Sequence, residues 1–503
     1  MEIKIHDFAD AHRIALENTQ VRGATFRATE TFNTRREQMY SELPDVEALK
    51  QYAATVKDHT LEHLDFYLGR LTDNIEARGG QVHFALDGEE ARTIIAQIVK
   101  QSASQSGTTT VVKSKSMVTE EIELNQALEA SGARVIETDL GEYILQLEDE
   151  YPSHIIGPAI HKPKAEVDAL FHKLYDVPLG SSADVLAGKA REVIREDFLR
   201  ADVGISGVNF AVAETGSIVI VENEGNARLT TSLPRVHIAI MGLEKVIPRI
   251  QDLGVFLKLL PRAATGQRST VFVSLITGPK RELEPEGPEE FHLVVLDNGR
   301  SSVLADAEMR ASLRCIRCGA CLNTCPVYQQ LGGHAYGWVY SGPIGSVLDP
   351  ALLGLEEAKS LPFASSLCGA CGDVCPVKIP LPQMLVTQRA RAVEKKLMPA
   401  AEAAGIGAFK FVMTNPNVYK FASQAARWIK WPENMPQWGI PVLSSWQQAR
   451  DFPAPKAQSF RDLWKNGLQS ELAPIKPEPS SHVPEKLEIT AESKQESREA
   501  ADD

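Results

Sequence analysis

The stretch CIRCGACLNTCP, Cys315 to Pro326, crowds four cysteines into one short run, and SSLCGACGDVCP, Ser365 to Pro376, nearly repeats it. C-x2-C-x2-C-x3-C-P is the ligand run of two-cluster ferredoxins: three thiolates hold one iron–sulfur cluster, and the fourth, before the proline, holds the other. That crossed rule assigns Cys315, Cys318, Cys321 and Cys375 to one [4Fe-4S] cluster, and Cys325, Cys368 and Cys371 to a second. A structural zinc site would use two separated cysteine pairs instead. All seven cysteines lie in these motifs, which speaks against a disulfide framework.

The second motif is one ligand short, because Ser365 stands where the first has Cys315. A serine oxygen competes poorly with sulfur for iron. Three arrangements remain open: a [4Fe-4S] cluster with one open iron or with Ser365 as a weak ligand, a cluster that becomes [3Fe-4S] when oxidised, and a site completed by a partner. Losing a thiolate tunes the potential, whereas an open iron would bind substrate; tuning is the preferred reading. Two adjacent clusters form a one-electron relay and do no bond chemistry without a further cofactor or an open iron. No cofactor beyond the clusters is indicated: there is no G-x-G-x-x-G after a strand and no Walker A sequence. The glycine-rich GPIGSVLDPALLG (342–354) reads as a packed connection rather than a phosphate loop.

Other elements must position these loops. Residues 1–70 read as a helical segment, with apolar residues at three- and four-residue steps up to Gly79-Gly80. Strand-like runs then alternate with helices: 81–86, 108–115, 133–139, a hairpin at 207–223 turning at Gly216, then 235–242, 269–279 and 291–299. LEKVIPRIQDLGVFLKLLPR reads as one helix among them. The alternation predicts an α/β domain over 71–300, its sheet covered on both faces and made mixed by the hairpin. An all-α dicluster domain follows over 301–400, then a helical, Trp/Pro-rich region over 401–470 and a polar tail over 471–503 that is expected to be disordered. The Trp/Pro-rich stretch, with Trp428, Trp431, Trp438, Trp446 and Trp464, is read either as a cap over the clusters or as a docking surface.

Composition limits the partners. A chain of 503 residues with 43% hydrophobic content has room for two or three domains. A net charge of -13 argues against binding a phosphate backbone, so no nucleic acid is expected. No apolar run is long enough to cross a membrane, and the N-terminus lacks the pattern of a secretory signal. The expected location is cytoplasmic, with any membrane contact peripheral and through partners.

The chain resembles the lactate utilisation protein B family in RGGQVHFA (78–85), VVKSKSM (111–117), AETGSIV (213–219), CIRCGACLNTCPVY (315–328), SSLCGACGDVCPVKIPLP (365–382) and SFRDLWK (459–465). The dicluster motif is shared by many redox subunits; the N-terminal passages in this order make the match specific. The resemblance covers roughly 20–470, and the shortened second motif belongs to the family pattern. It implies a lactate-utilisation domain of the NagB/RpiA/CoA-transferase-like fold joined to a ferredoxin-like dicluster region. It also implies one subunit of a multi-component cytoplasmic system that oxidises L-lactate to pyruvate, with the other subunits as partners.

Lactate oxidation needs a base and a grip for the carboxylate, for which arginine is the usual choice. The weak candidates are Arg228, Arg235, His237 as base, and Glu214 in AETG; Lys113, Lys115 and Ser116 follow a strand end and read as a solvated loop. The leading expectation is an electron-transfer subunit relaying electrons through both clusters. The alternatives are a self-sufficient 2-hydroxy-acid oxidoreductase, using the α/β domain or an open cluster iron, and a metabolite-binding sensor with structural clusters.

Overall fold

The computed structural model describes residues 5, 8–102, 108–428 and 458–468, and the chain divides into compact units 1–398 and 399–503. In the first unit, β1 (Gln81–Ala85), β2 (Thr110–Lys113), β3 (Arg134–Glu137), β4 (Val203–Gly207), β7 (Val236–Gly242) and β10 (Glu290–Leu296) form one sheet in the order β1-β10-β7-β4-β2-β3. Every pairing in it is parallel. Such a sheet must be covered on both faces, and its inner strand β7 is buried along its whole length. Ile238 and Ile240 of β7 pack on the helix Gly88–Gln101 through Ile95 and Ile98, while Ala239 and Met241 face the helix Leu64–Glu76 through Leu71 and Ile75.

The hairpin does not make this sheet mixed, as the sequence reading expected. β5 (Phe210–Val212) and β6 (Ser217–Glu222) instead build a second sheet with β8 (Val246–Ile247) and β9 (Phe272–Ile276), in the order β8-β5-β6-β9. The reason is visible in the hairpin, which is apolar on both faces. Ala211, Ile218 and Ile220 pack toward the parallel sheet, whereas Phe210, Val212 and Val219 join the core around Phe256 and Leu260. The run read as one helix also divides. Leu243–Lys245 is a 3-10 turn, Val246–Ile247 is β8, and the helix proper is Ile250–Thr265, whose first free N–H donates to Glu214 Oε2 at 3.0 Å.

Two long segments escaped the sequence reading. Helices Lys164–Tyr175 and Ala183–Arg200 cover Val112 and Ile136 beside β3, and the irregular chain at 151–163 reaches the cysteine loops. From Arg300 to Met398 the described residues are helices, 3-10 turns and loops, with GPIGSVLDPALL folded as a buried helix, Gly342–Leu353. The second unit contains helices Ala400–Thr414 and Pro416–Trp428, and a short helix from Phe460 capped by Ser459 and Asp462. Among the described residues no helix is long and apolar enough to cross a membrane. The polar tail and Trp431, Trp438 and Trp446 lie outside the described residues.

The carboxyl ends of the parallel strands face the cysteine-bearing region through one buried ionic network. Arg300, just beyond β10, donates from Nη2 to Glu121 Oε2 at 2.7 Å and from Nε to Glu244 Oε2 at 2.8 Å. Tyr340 donates to Glu121 at 2.6 Å, and Arg317 pairs with Glu244 at 3.5 Å while stacking on the Tyr340 ring. At the end of β7, Gly242 leaves room for the Glu244 carboxylate and the Arg300 guanidinium, which a Cβ there would displace. Removing one member strands a buried opposite charge, so Arg300→Met should destabilise the chain by about 3–5 kcal/mol in chemical denaturation. The double change Glu121→Leu/Arg300→Met should recover part of that loss.

Candidate metal centres

Both cysteine loops use the same backbone device. In the first, Arg317 takes φ 58° and its N–H donates to Cys315 Sγ at 3.4 Å. In the second, Leu367 takes φ 55° and its N–H donates to Ser365 Oγ at 3.1 Å. Gly319 and Gly369 follow at positive φ and open the short helices Ala320–Asn323 and Ala370–Asp373. Ser365 therefore sits at the position that Cys315 holds in the other loop.

The loops enclose two cavities with different donors. One is lined by Cys315, Cys318, Cys321 and Cys375 among Ile155, Ile344 and Leu381. The other is lined by Cys325, Cys368, Cys371 and Ser365 beside Pro343 and Pro382. Each thus takes sulfur from both motifs. Burial pushes the Cys375 thiol up to about 11 and the Cys371 thiol up to about 12, and it raises Cys318, Cys321 and Cys325 as well. Thiolates in such apolar pockets need a bound cation to be charged, and soft sulfur donors suit iron in clusters. The residues present fit that group. The first cavity is closed in by apolar side chains, whereas Cys368 brings the second to the surface.

Segments far away in sequence hold these loops. Helix Val46–Glu62 ties down the cysteine region: Asp58 accepts from Arg314 Nη2 at 2.6 Å, Glu47 pairs with Lys378 at 2.7 Å, and Lys50 donates to the Asp373 carbonyl at 3.3 Å. Helix Thr19–Ser41 adds Asn33, which donates to the Asn323 carbonyl at 2.8 Å. His154 accepts from the N–H groups of Ile156 and Gly157 at Nδ1, so its Nε2 carries the proton donated to Asn323 Oδ1 at 3.0 Å. Burial holds that imidazole neutral, down to about 3. The N-terminal helices are thus a clamp on the cysteine loops, a role that their apolar periodicity could not announce.

The substrate candidates are scattered. Glu214 lies in the β5–β6 turn and caps the helix Ile250–Thr265. Arg235 precedes β7 at the amino end of the sheet and pairs with Glu290 at 2.5 Å. His237 is fully buried within β7, hydrogen-bonded to Ser206 at 2.8 Å. Arg228 is exposed on the helix Asn226–Ser232 and stacks over Phe272. Among the described residues, Arg228 lines a groove beside β3 that Glu214, Arg235 and His237 do not line. Lys113 and Lys115 are not in a solvated loop either: Lys113 is fully buried at 2.7 Å from both Glu120 and Glu137, Lys115 lies 3.9 Å from Glu142, and Ser116 is buried beside Gly207. Trp464 stacks with Phe460 in the second unit.

Sequence reasoning missed Glu121, Glu244, Arg300 and Arg317, which join the sheet to the first cysteine loop. The arginine between Cys315 and Cys318 was the only available signal.

Three family models match the chain: LUD domain over 68–296, 4Fe-4S dicluster domain over 311–379, and Lactate utilisation protein B, C-terminal, over 388–468. The Lactate utilization protein B of Bacillus subtilis (strain 168) is 44% identical, covering 94% of this chain and 99% of its own. Those of Geobacillus thermodenitrificans (strain NG80-2) and Shouchella clausii (strain KSM-K16) are 46% and 45% identical, covering 90% and 94% of this chain and 95% and 100% of theirs. A solved DUF162 family protein from Deinococcus radiodurans aligns with 46% of this chain and 98% of its own at 12% identity, with a TM-score of 0.25.

His237 yields a prediction of its own. Burial, reinforced by His292, holds it down to about 3. The unfolded chain takes up a proton near pH 6.5 that the folded one refuses, so stability falls as pH drops from there toward 3. His237→Gln should flatten the pH dependence of unfolding between pH 6 and 5 by about 1.4 kcal/mol per unit, read by denaturant titration at each pH.

Proposed function

The chain belongs to the Lactate utilization protein B family, and from that premise we propose that it is the iron–sulfur electron-transfer subunit of a multi-component system oxidising L-lactate to pyruvate. The observation that carries this reading is the pair of cavities, each lined by sulfur from both motifs. Cys315, Cys318, Cys321 and Cys375 would hold the first [4Fe-4S] cluster; Cys325, Cys368 and Cys371 would hold the second, with Ser365 as its weak fourth ligand. When bound, the clusters supply one-electron redox chemistry. The chain's own residues exclude water at the first site through Ile155, Ile344 and Leu381, and leave the second open at Cys368, where a partner can approach. The scatter of Glu214, Arg228, Arg235 and His237 supports placing lactate chemistry on partner subunits.

The same reading divides the chain at 71, 301, 401 and 471, with the lactate-utilisation domain as a NagB/RpiA/CoA-transferase-like fold. The six-stranded parallel sheet with its helical cover supports that fold. The protein would work in the cytoplasm, reaching a membrane only through partners.

Anaerobic iron analysis and EPR of the purified chain test the proposal. About eight irons and two reducible centres are expected. Both should stay unreduced by L-lactate until the partner subunits are added. Reduction by L-lactate alone would move catalysis into this chain, and absence of iron after reconstitution would remove the relay altogether. Cys375→Ser should disturb the signal of the first centre although it lies in the second motif. Ser365→Cys should alter only the second centre and suppress any three-iron signal.

A further inference from the structure

We propose that the groove between helices Ala183–Arg200 and Asn226–Ser232 binds an amphiphilic organic anion free in solution, a carboxylate or phosphate carried on an apolar body. The groove is separate from both cysteine cavities, and the proposal is independent of the electron-transfer reading. It lies just beyond the carboxyl end of β3, where Thr138 and Leu140 line it, and α/β sheets place ligands at the carboxyl ends of their strands. Its volume of about 680 Å³ falls within the roughly 300–1,000 Å³ of small-molecule sites.

The lining has two parts. Ile194, Phe198, Leu140 and Phe272 form an apolar floor, and the edge leucines Leu229 and Leu233 stand 42% and 48% exposed. Arg191, Arg195 and Arg228 provide the charge. Arg191 and Arg195 are four residues apart on one helix and so share a face. Arg228 is braced over the Phe272 ring at 5.1 Å.

None of the three guanidinium groups has a carboxylate partner among the described residues, although the Arg228 backbone N–H donates to Glu222 Oε1 at 2.8 Å, in a chain with 66 acidic and 53 basic side chains. Nearby arginines are paired: Arg134 with Asp197 at 2.7 Å, and Arg200 with Glu196 at 3.5 Å. One acid, Glu224, lines the groove, and it accepts from the Leu140 N–H at 3.3 Å. Three guanidinium groups against one carboxylate select an anion. The apolar floor selects one with a hydrocarbon or aromatic body, and a three-carbon hydroxy acid would leave most of the space unfilled.

Isothermal titration of the full chain with sodium decanoate tests this site. One saturable site per chain is expected, not displaced by nonionic octyl glucoside or by L-lactate at the same concentration. Arg191→Gln/Arg195→Gln and Arg228→Gln should each weaken binding about tenfold or more, the loss of a charge-assisted hydrogen bond, with unchanged melting curves because these side chains are exposed. Should either variant melt early, Leu229→Asp gives a second reading, because it places a repelling charge at the groove's edge on a side chain already exposed to water. No decanoate binding, equal displacement by octyl glucoside, or undiminished affinity in the arginine variants would overturn the proposal. Co-sedimentation with phosphatidylglycerol vesicles in place of decanoate binding would assign the arginines to a membrane surface and overturn it too.

Discussion

The guanidinium of Arg300 and the two carboxylates it grips, Glu121 and Glu244, set the relation between the sheet and the cysteine loops. All three are almost completely buried. Each buried ion costs several kcal/mol of desolvation, so a network of this kind persists only if its hydrogen bonds are nearly complete. Here they are supplied from several segments: Asn298 and Tyr340 also donate to Glu121, and Lys57 donates to the carbonyl of Glu244. The opposite charges hold Glu244 down to about 2 despite its burial, and they raise Arg300. Arg317 extends the network into the loop between Cys315 and Cys318, so the first cavity and the ends of β7 and β10 are fixed by one set of contacts.

That attachment explains an asymmetry between two nearly identical motifs. The first loop is anchored through Arg317 and walled by isoleucines. The second has Leu367 at the matching position and Ser365 in place of a cysteine, and it turns Cys368 outward. Burial and charge around a cluster are the main means by which a protein sets its potential. The two cysteine sites, alike in backbone geometry, thereby have different surroundings: apolar walls around the first and an exposed Cys368 at the second.

The rest of the fold serves the same arrangement in layers. The parallel sheet presents its carboxyl ends, the small second sheet fills the space beside it, and helix Ile250–Thr265 closes that sheet from the other side. Helices Thr19–Ser41 and Val46–Glu62 then pack against the cysteine region instead of forming a separate segment. The groove beside β3 lies at the edge of this construction, where the covering helices leave the sheet's carboxyl end open.

Local chemistry by itself picked out the two cysteine motifs, the strand runs of the parallel sheet except β4, which the hairpin reading passed over, and the helical character of the region after Arg300. Each depends on short spacings: thiolates three residues apart, unbroken apolar runs, glycines that permit a tight turn. Where the hairpin goes was not legible, because a pair of strands apolar on both faces fits equally well inside a sheet or as its own layer. The short β8 hid inside a helical pattern for a related reason, since two residues carry no period. Buried ionic partners are invisible in a sequence: Glu121, Glu244, Arg300 and Arg317 look like surface residues until folding brings them together. The same holds for His237 and Arg235, whose neighbours in the chain suggested chemistry and whose partners in space are Ser206 and Glu290. Spacing along the chain fixes what a residue can do, and only tertiary packing decides which residues are left able to do it.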